Sequence, residues 1–163
     1  MSRQEVRIFV SYSHRNRDGA ARFLEAFEEY CRCSKTYAYR FWKDTELKIG
    51  ERWEEAIRQN LTKSHCGLLL ISPALLSSGY IQDVEIPALM APGKILLPVG
   101  FARVDFQRHD LHGLLERQIF RLAQPGLKEP RFYSELNPKR RADFISALFT
   151  AVEERLDGAL QKG

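Results

Sequence analysis

Gly67-Leu68-Leu69-Leu70-Ile71, followed by Ser72-Pro73, is the stretch from which the fold is read. Five residues without a polar side chain, ended by Ser72-Pro73, suit a strand covered on both faces rather than one washed by solvent on one side. Working outward, residues 7–12 hold the short apolar run Ile8-Phe9-Val10. Ala20, Phe23, Leu24, Phe27 and Tyr30 recur at helical spacing behind it. Residues 37–42 are aromatic-rich and strand-like. Trp53, Ile57 and Leu61 stripe a second helix. Beyond the apolar run, residues 94–99 read as a fourth strand whose Pro98 ends it or confines it to an edge. Residues 117–122 read as a short fifth strand. Asn137-Pro138 is a helix start, and Phe144, Ile145, Leu148, Phe149, Val152 and Leu156 form the clearest helical stripe. Strands that alternate with helices predict an α/β, flavodoxin-like, doubly wound sheet of about five parallel strands flanked by helices.

The 163 residues suit a single domain, 1–163, with a core over about 5–157. A hydrophobic fraction of 44% and a charged fraction of 28% are those of a globular chain. The net charge of +4 is spread among acids, which gives no footprint for nucleic acid. Lys139-Arg140-Arg141 reads as ordinary surface. Cys31, Cys33 and Cys66 are odd in number and lack metal or redox spacing, so reduced thiols and no metal are expected. No apolar run spans a bilayer and residues 1–5 carry no signal core, so the expectation is a cytoplasmic location without membrane contact.

In such a sheet, ligands bind outside the carboxyl ends of the strands. Several chemistries are disfavoured there. Where a phospho-accepting domain needs an Asp after the third strand stand Ser72-Pro73. Ser11 to Asp18 contain no glycine, which removes both a dinucleotide fingerprint and a P-loop, and no Gly-x-Ser-x-Gly elbow is present. What remains is a carboxylate, Glu85, in Tyr80-Ile81-Gln82-Asp83-Val84-Glu85-Ile86-Pro87.

These residues, in order, resemble Toll/interleukin-1 receptor (TIR) domains of the bacterial, NAD⁺-cleaving type. Arg7-Ile8-Phe9-Val10-Ser11-Tyr12-Ser13 is similar to the family's first signature box. Phe41-Trp42-Lys43-Asp44 with Glu46-Leu47-Lys48-Ile49-Gly50 resembles the second strand and BB loop. Leu68-Leu69-Leu70-Ile71-Ser72-Pro73 resembles the third strand, and Tyr80 to Glu85 resembles the segment carrying the catalytic glutamate. Tyr80-Ile81 stands, with one extra residue, where many animal members have Trp-Cys. Lys48-Ile49-Gly50 replaces the Arg-Asp and Pro-Gly pattern of receptor members. Both departures point to bacterial relatives and away from a receptor adaptor.

The resemblance implies an NAD⁺ nucleosidase with Glu85 as the catalytic residue. NAD⁺ is the substrate and no cofactor is needed. The products are nicotinamide and ADP-ribose or a cyclic ADP-ribose, and the setting is antiphage or cell-death signalling. It also implies self-association through TIR–TIR contacts at Leu47, Ile49 and Gly50, with a fused or separate sensor module. The chemistry agrees with one carboxylate. Nicotinamide leaves as a neutral pyridine that needs no proton, so a fixed anion beside the ribose has only to stabilise an oxocarbenium-like cation. Glycosidases, whose leaving group is an alkoxide, need two carboxylates. Candidate substrate-binding residues are Ser11 and Tyr12 after the first strand, Trp42 and Asp44 after the second, and Tyr80. His14 reads as exposed, and Trp53 as core or as a stacking platform. Two alternatives remain open: a non-catalytic interaction module, and a nucleoside glycosidase or deoxyribosyltransferase-like enzyme.

Overall fold

The computed structural model describes residues 2–43 and 53–161. Asp44, Leu47, Ile49 and Gly50 lie outside the described residues. The sheet is built from β1 (Gln4–Ser11), β2 (Tyr37–Trp42), β3 (Cys66–Ile71) and β4 (Ile95–Gly100), all parallel, in the order β2-β1-β3-β4. The helices are α1 (Arg17–Arg32), α2 (Trp53–Lys63), the single turn α3 (Pro73–Leu76), the short α4 (Ile86–Leu89) and α5 (Pro138–Leu160).

Both faces of the sheet are covered, as the apolar β3 requires: all six of its residues are buried. Residues of alternate parity enter separate cores. Val10, Leu68, Leu70 and Val99 pack with Phe23, Phe27, Phe144 and Leu148 of α1 and α5. Phe9, Leu69 and Ile71 pack with Ile57, Leu61, Ile86 and Leu89 of α2 and α4. Gly67 makes the second layer close: a Cβ there would stand 2.6 Å from Leu89 Cδ2.

The expected fifth strand is reduced to one parallel bridge, Val99 to Phe120. Phe120 N–H donates to the Pro98 carbonyl (2.9 Å) and Gly100 N–H donates to the Phe120 carbonyl (2.7 Å). The next bond on one side would need an N–H on Pro98, which has none. On the other side Leu122 turns away to exchange two bonds with Arg131. Pro98 therefore sits with its missing donor toward the sheet edge, and four strands make the ladder.

At α5, the Asn137 side chain accepts from Arg140 N–H at 2.9 Å, capping the helix. The neighbouring basic residues do more than face solvent. Arg140 donates to Gln124 Oε1 (2.6 Å), and Arg141 donates to the Ser134 carbonyl and lies over the Tyr133 ring. Together they tie the preceding loop to the helix.

Candidate functional site

The strand order reverses direction between β1 and β3, and this is where an open parallel sheet leaves a crevice. The chain leaving β1 and the chain leaving β3 form its walls, and one hydrogen-bonded brace joins them. Ser72, fully buried, donates to Asn16 Oδ1 (2.7 Å), and its Oγ accepts from Leu75 N–H (3.0 Å) to cap α3. Ser13 caps the short 3₁₀ turn His14–Asn16, its Oγ accepting from Arg15 N–H (3.3 Å).

Between these walls lies a cleft of about 310 Å³, lined on one side by Tyr12, Ser13, His14 and Arg15 and on the other by Ser77, Tyr80 and Glu85, with Trp53 at the mouth. Glu85 is 8% exposed and is, among the described residues, the one buried charged side chain. A buried carboxylate opposes the general tendency to keep charge in water. Its position follows from the local helix. Ile81–Glu85 is one turn of π-helix, with Ile86 N–H donating to the Ile81 carbonyl five residues back. Pro87 explains the widening. It lacks an N–H, and its ring would collide with the Asp83 carbonyl in a continuous α-helix.

Tyr80 precedes that turn. Its ring meets Trp53 at 4.7 Å between centroids, tilted by 46°. Burial, and then the nearby charge of Glu85, pushes the Tyr80 hydroxyl above its usual range. That hydroxyl is buried without a hydrogen-bond partner among the described residues. On the facing wall the rings of Tyr12 and His14 stack at 6.2 Å.

The structure thus brings together Tyr12, Tyr80 and Glu85. Ser11 and Trp42 lie elsewhere. Ser11 is buried under the wall, 1% exposed, with an Oγ that has no partner among the described residues. Trp42 stacks on Phe9 at 5.1 Å within the α2 face of the core. Among the lining residues, Arg15 and Ser77 carry no signal in the sequence that marks them. Trp53, for which the sequence leaves core and stacking platform open, is 43% exposed and lines the cleft. Among the described residues no three His, Cys, Asp or Glu side chains form a metal-holding group, and no helix is long and apolar enough to cross a membrane.

A doubly wound parallel sheet with a cleft at the β1/β3 switch point defines an α/β domain of the flavodoxin-like class. Within it, the sequence matches the TIR domain family over residues 8–136, and the chain belongs to that family. No curated protein matches the chain.

Proposed function

We propose that this TIR domain cleaves the bond between nicotinamide and ribose in NAD⁺, with Glu85 as the essential carboxylate. The observation that carries this reading is the burial of that one charged side chain in a cleft walled by aromatic rings. A carboxylate in such surroundings is poorly screened and acts strongly on a charge that develops beside it. As the C1′–N bond breaks, its electron pair leaves with the neutral pyridine, and the ribose becomes cationic next to Glu85. Water, or a nucleophile of the substrate's own adenine, then closes on C1′ and loses its proton, giving ADP-ribose or a cyclised form. Trp53 and Tyr80 offer faces for a flat ring. The Tyr80 hydroxyl, which has no partner among the described residues, offers a donor to a ribose hydroxyl.

Asp44 is proposed to hold the ribose, and Leu47, Ile49 and Gly50 to join neighbouring copies, in a signalling role that couples cleavage to assembly. The test is incubation with NAD⁺ and, separately, with nucleosides, followed by analysis for free base. Nicotinamide from NAD⁺ alone supports the proposal. Base released from nucleosides alone indicates a nucleoside-cleaving enzyme, and no base from either indicates an interaction module.

A further inference from the structure

The loop that follows β4 contains one backbone conformation that L-residues avoid. His112 has φ 51°, the left-handed region, and is the one non-glycine so placed among the described residues. Asp110 helps to hold it there, its Oδ1 accepting from His112 N–H at 2.8 Å. Residues kept in such a conformation point to a local requirement. Here the requirement is visible: the turn directs the imidazole to α3, where Nε2 lies 2.9 Å from the Leu76 carbonyl. A carbonyl only accepts, so Nε2 carries the proton.

Leu76 ends α3, and the last carbonyls of a helix have no partner within it. Ser77 and Ser78 donate to Pro73 and Leu75 instead. The Leu76 oxygen is taken by two side chains, the Gln82 amide and the His112 ring. Gln82 belongs to the π turn that ends at Glu85. One oxygen therefore joins the end of α3, the turn that sets Glu85 and a loop 36 residues away in sequence. Ser77 and Ser78, which come directly after Leu76, line the Glu85 cleft.

We propose that His112 is a positioning residue for that cleft: by anchoring the Leu76 carbonyl it fixes the wall at Ser77 and Ser78 and the start of the turn that presents Glu85. Its functional consequence rests on the NAD⁺-cleaving reading. The His112→Gly variant separates this role from simple stabilisation, because glycine accepts the left-handed backbone without strain while the tether is lost. Its melting temperature should hold or rise. Amide exchange over residues 77–85 should quicken, and kcat for nicotinamide release should fall roughly tenfold with a smaller change in KM. His112→Gln, whose amide reaches as far as Nε2, should restore much of the loss. Unchanged exchange over 77–85 in His112→Gly would overturn the proposal, as would faster exchange with unaltered kcat. Exchange needs no turnover. If the wild-type protein releases no nicotinamide, the NAD⁺ reading fails, and the exchange result alone decides whether the tether exists.

Discussion

Glu85 is exceptional for its surroundings more than for its residue type. The chain has 21 acidic residues, and nothing in local spacing separates Glu85 from the rest; the resemblance to a family singled it out. Its burial, together with Tyr12 and Tyr80 in one cleft, is a product of tertiary packing that a linear pattern does not carry. The same limit leaves Trp53 between core and stacking platform, because a helical stripe does not say which of its members stays 43% exposed beside the cleft. Tyr80 and Trp53 give a prediction at this scale. Trp53→Ala removes a 43% exposed ring, so it should leave the melting temperature nearly unchanged while raising KM for NAD⁺ about tenfold. Tyr80→Phe keeps the stack and removes only the hydroxyl, so it should lower kcat/KM by several-fold. Steady-state kinetics on both variants checks the pair; an unaffected KM in Trp53→Ala would show that the ring plays no part in binding.

Elements were legible where their periodicity was simple and illegible where one residue altered hydrogen bonding. β3 and its neighbours follow from apolar runs, and α5 from its cap and stripe. The π turn before Pro87 follows neither a 3.6- nor a 2-residue period, so no pattern announces it. It explains the extra residue between Tyr80 and Glu85, since a turn closed over five residues takes up one more than an α turn. The fifth strand failed for a similar reason, the missing N–H of Pro98. Gly67→Ala drives a methyl into Leu89 and should cost about 1–3 kcal/mol, visible as a drop of several degrees in melting temperature.

His65 precedes β3, and its Nδ1 accepts from Arg7 N–H at 2.9 Å, which requires that nitrogen unprotonated. Burial, then the charge of Arg7, lowers its pKa from 6.5. The unfolded chain therefore takes up this proton first as pH falls, so the bond's contribution is complete above pH 6.5 and is lost below it, through the folded value. Thermal melts from pH 7.5 to 5 should show this loss in the wild-type protein. It should be absent in His65→Asn, which keeps an acceptor without titrating.

For the whole molecule, the two-sided sheet determines where chemistry can occur. Helices close both faces, so the open surface that gathers polar groups from several elements is the rim at the strands' carboxyl ends, and the crevice opens where connections part. That rim was predictable from the strand-helix alternation. The brace from Ser72 to Asn16 that joins its two walls was not, because Ser72-Pro73 read only as the end of a strand rather than as the cap of a new helix. If self-association completes the cleft, specific activity should rise with protein concentration, and Ile49→Asp should flatten and lower that curve without a change in melting temperature. Activity independent of concentration in both proteins would place the whole site within one chain. The central claim is tested most directly by nicotinamide release from NAD⁺, measured for the wild-type and Glu85→Gln proteins at equal concentrations after matched thermal melts. The account predicts release by the wild-type domain and a loss of at least about a hundredfold in the cooperatively folded Glu85→Gln variant, whose amide cannot stabilise the ribosyl cation. A folded Glu85→Gln protein that releases nicotinamide at the wild-type rate would contradict it.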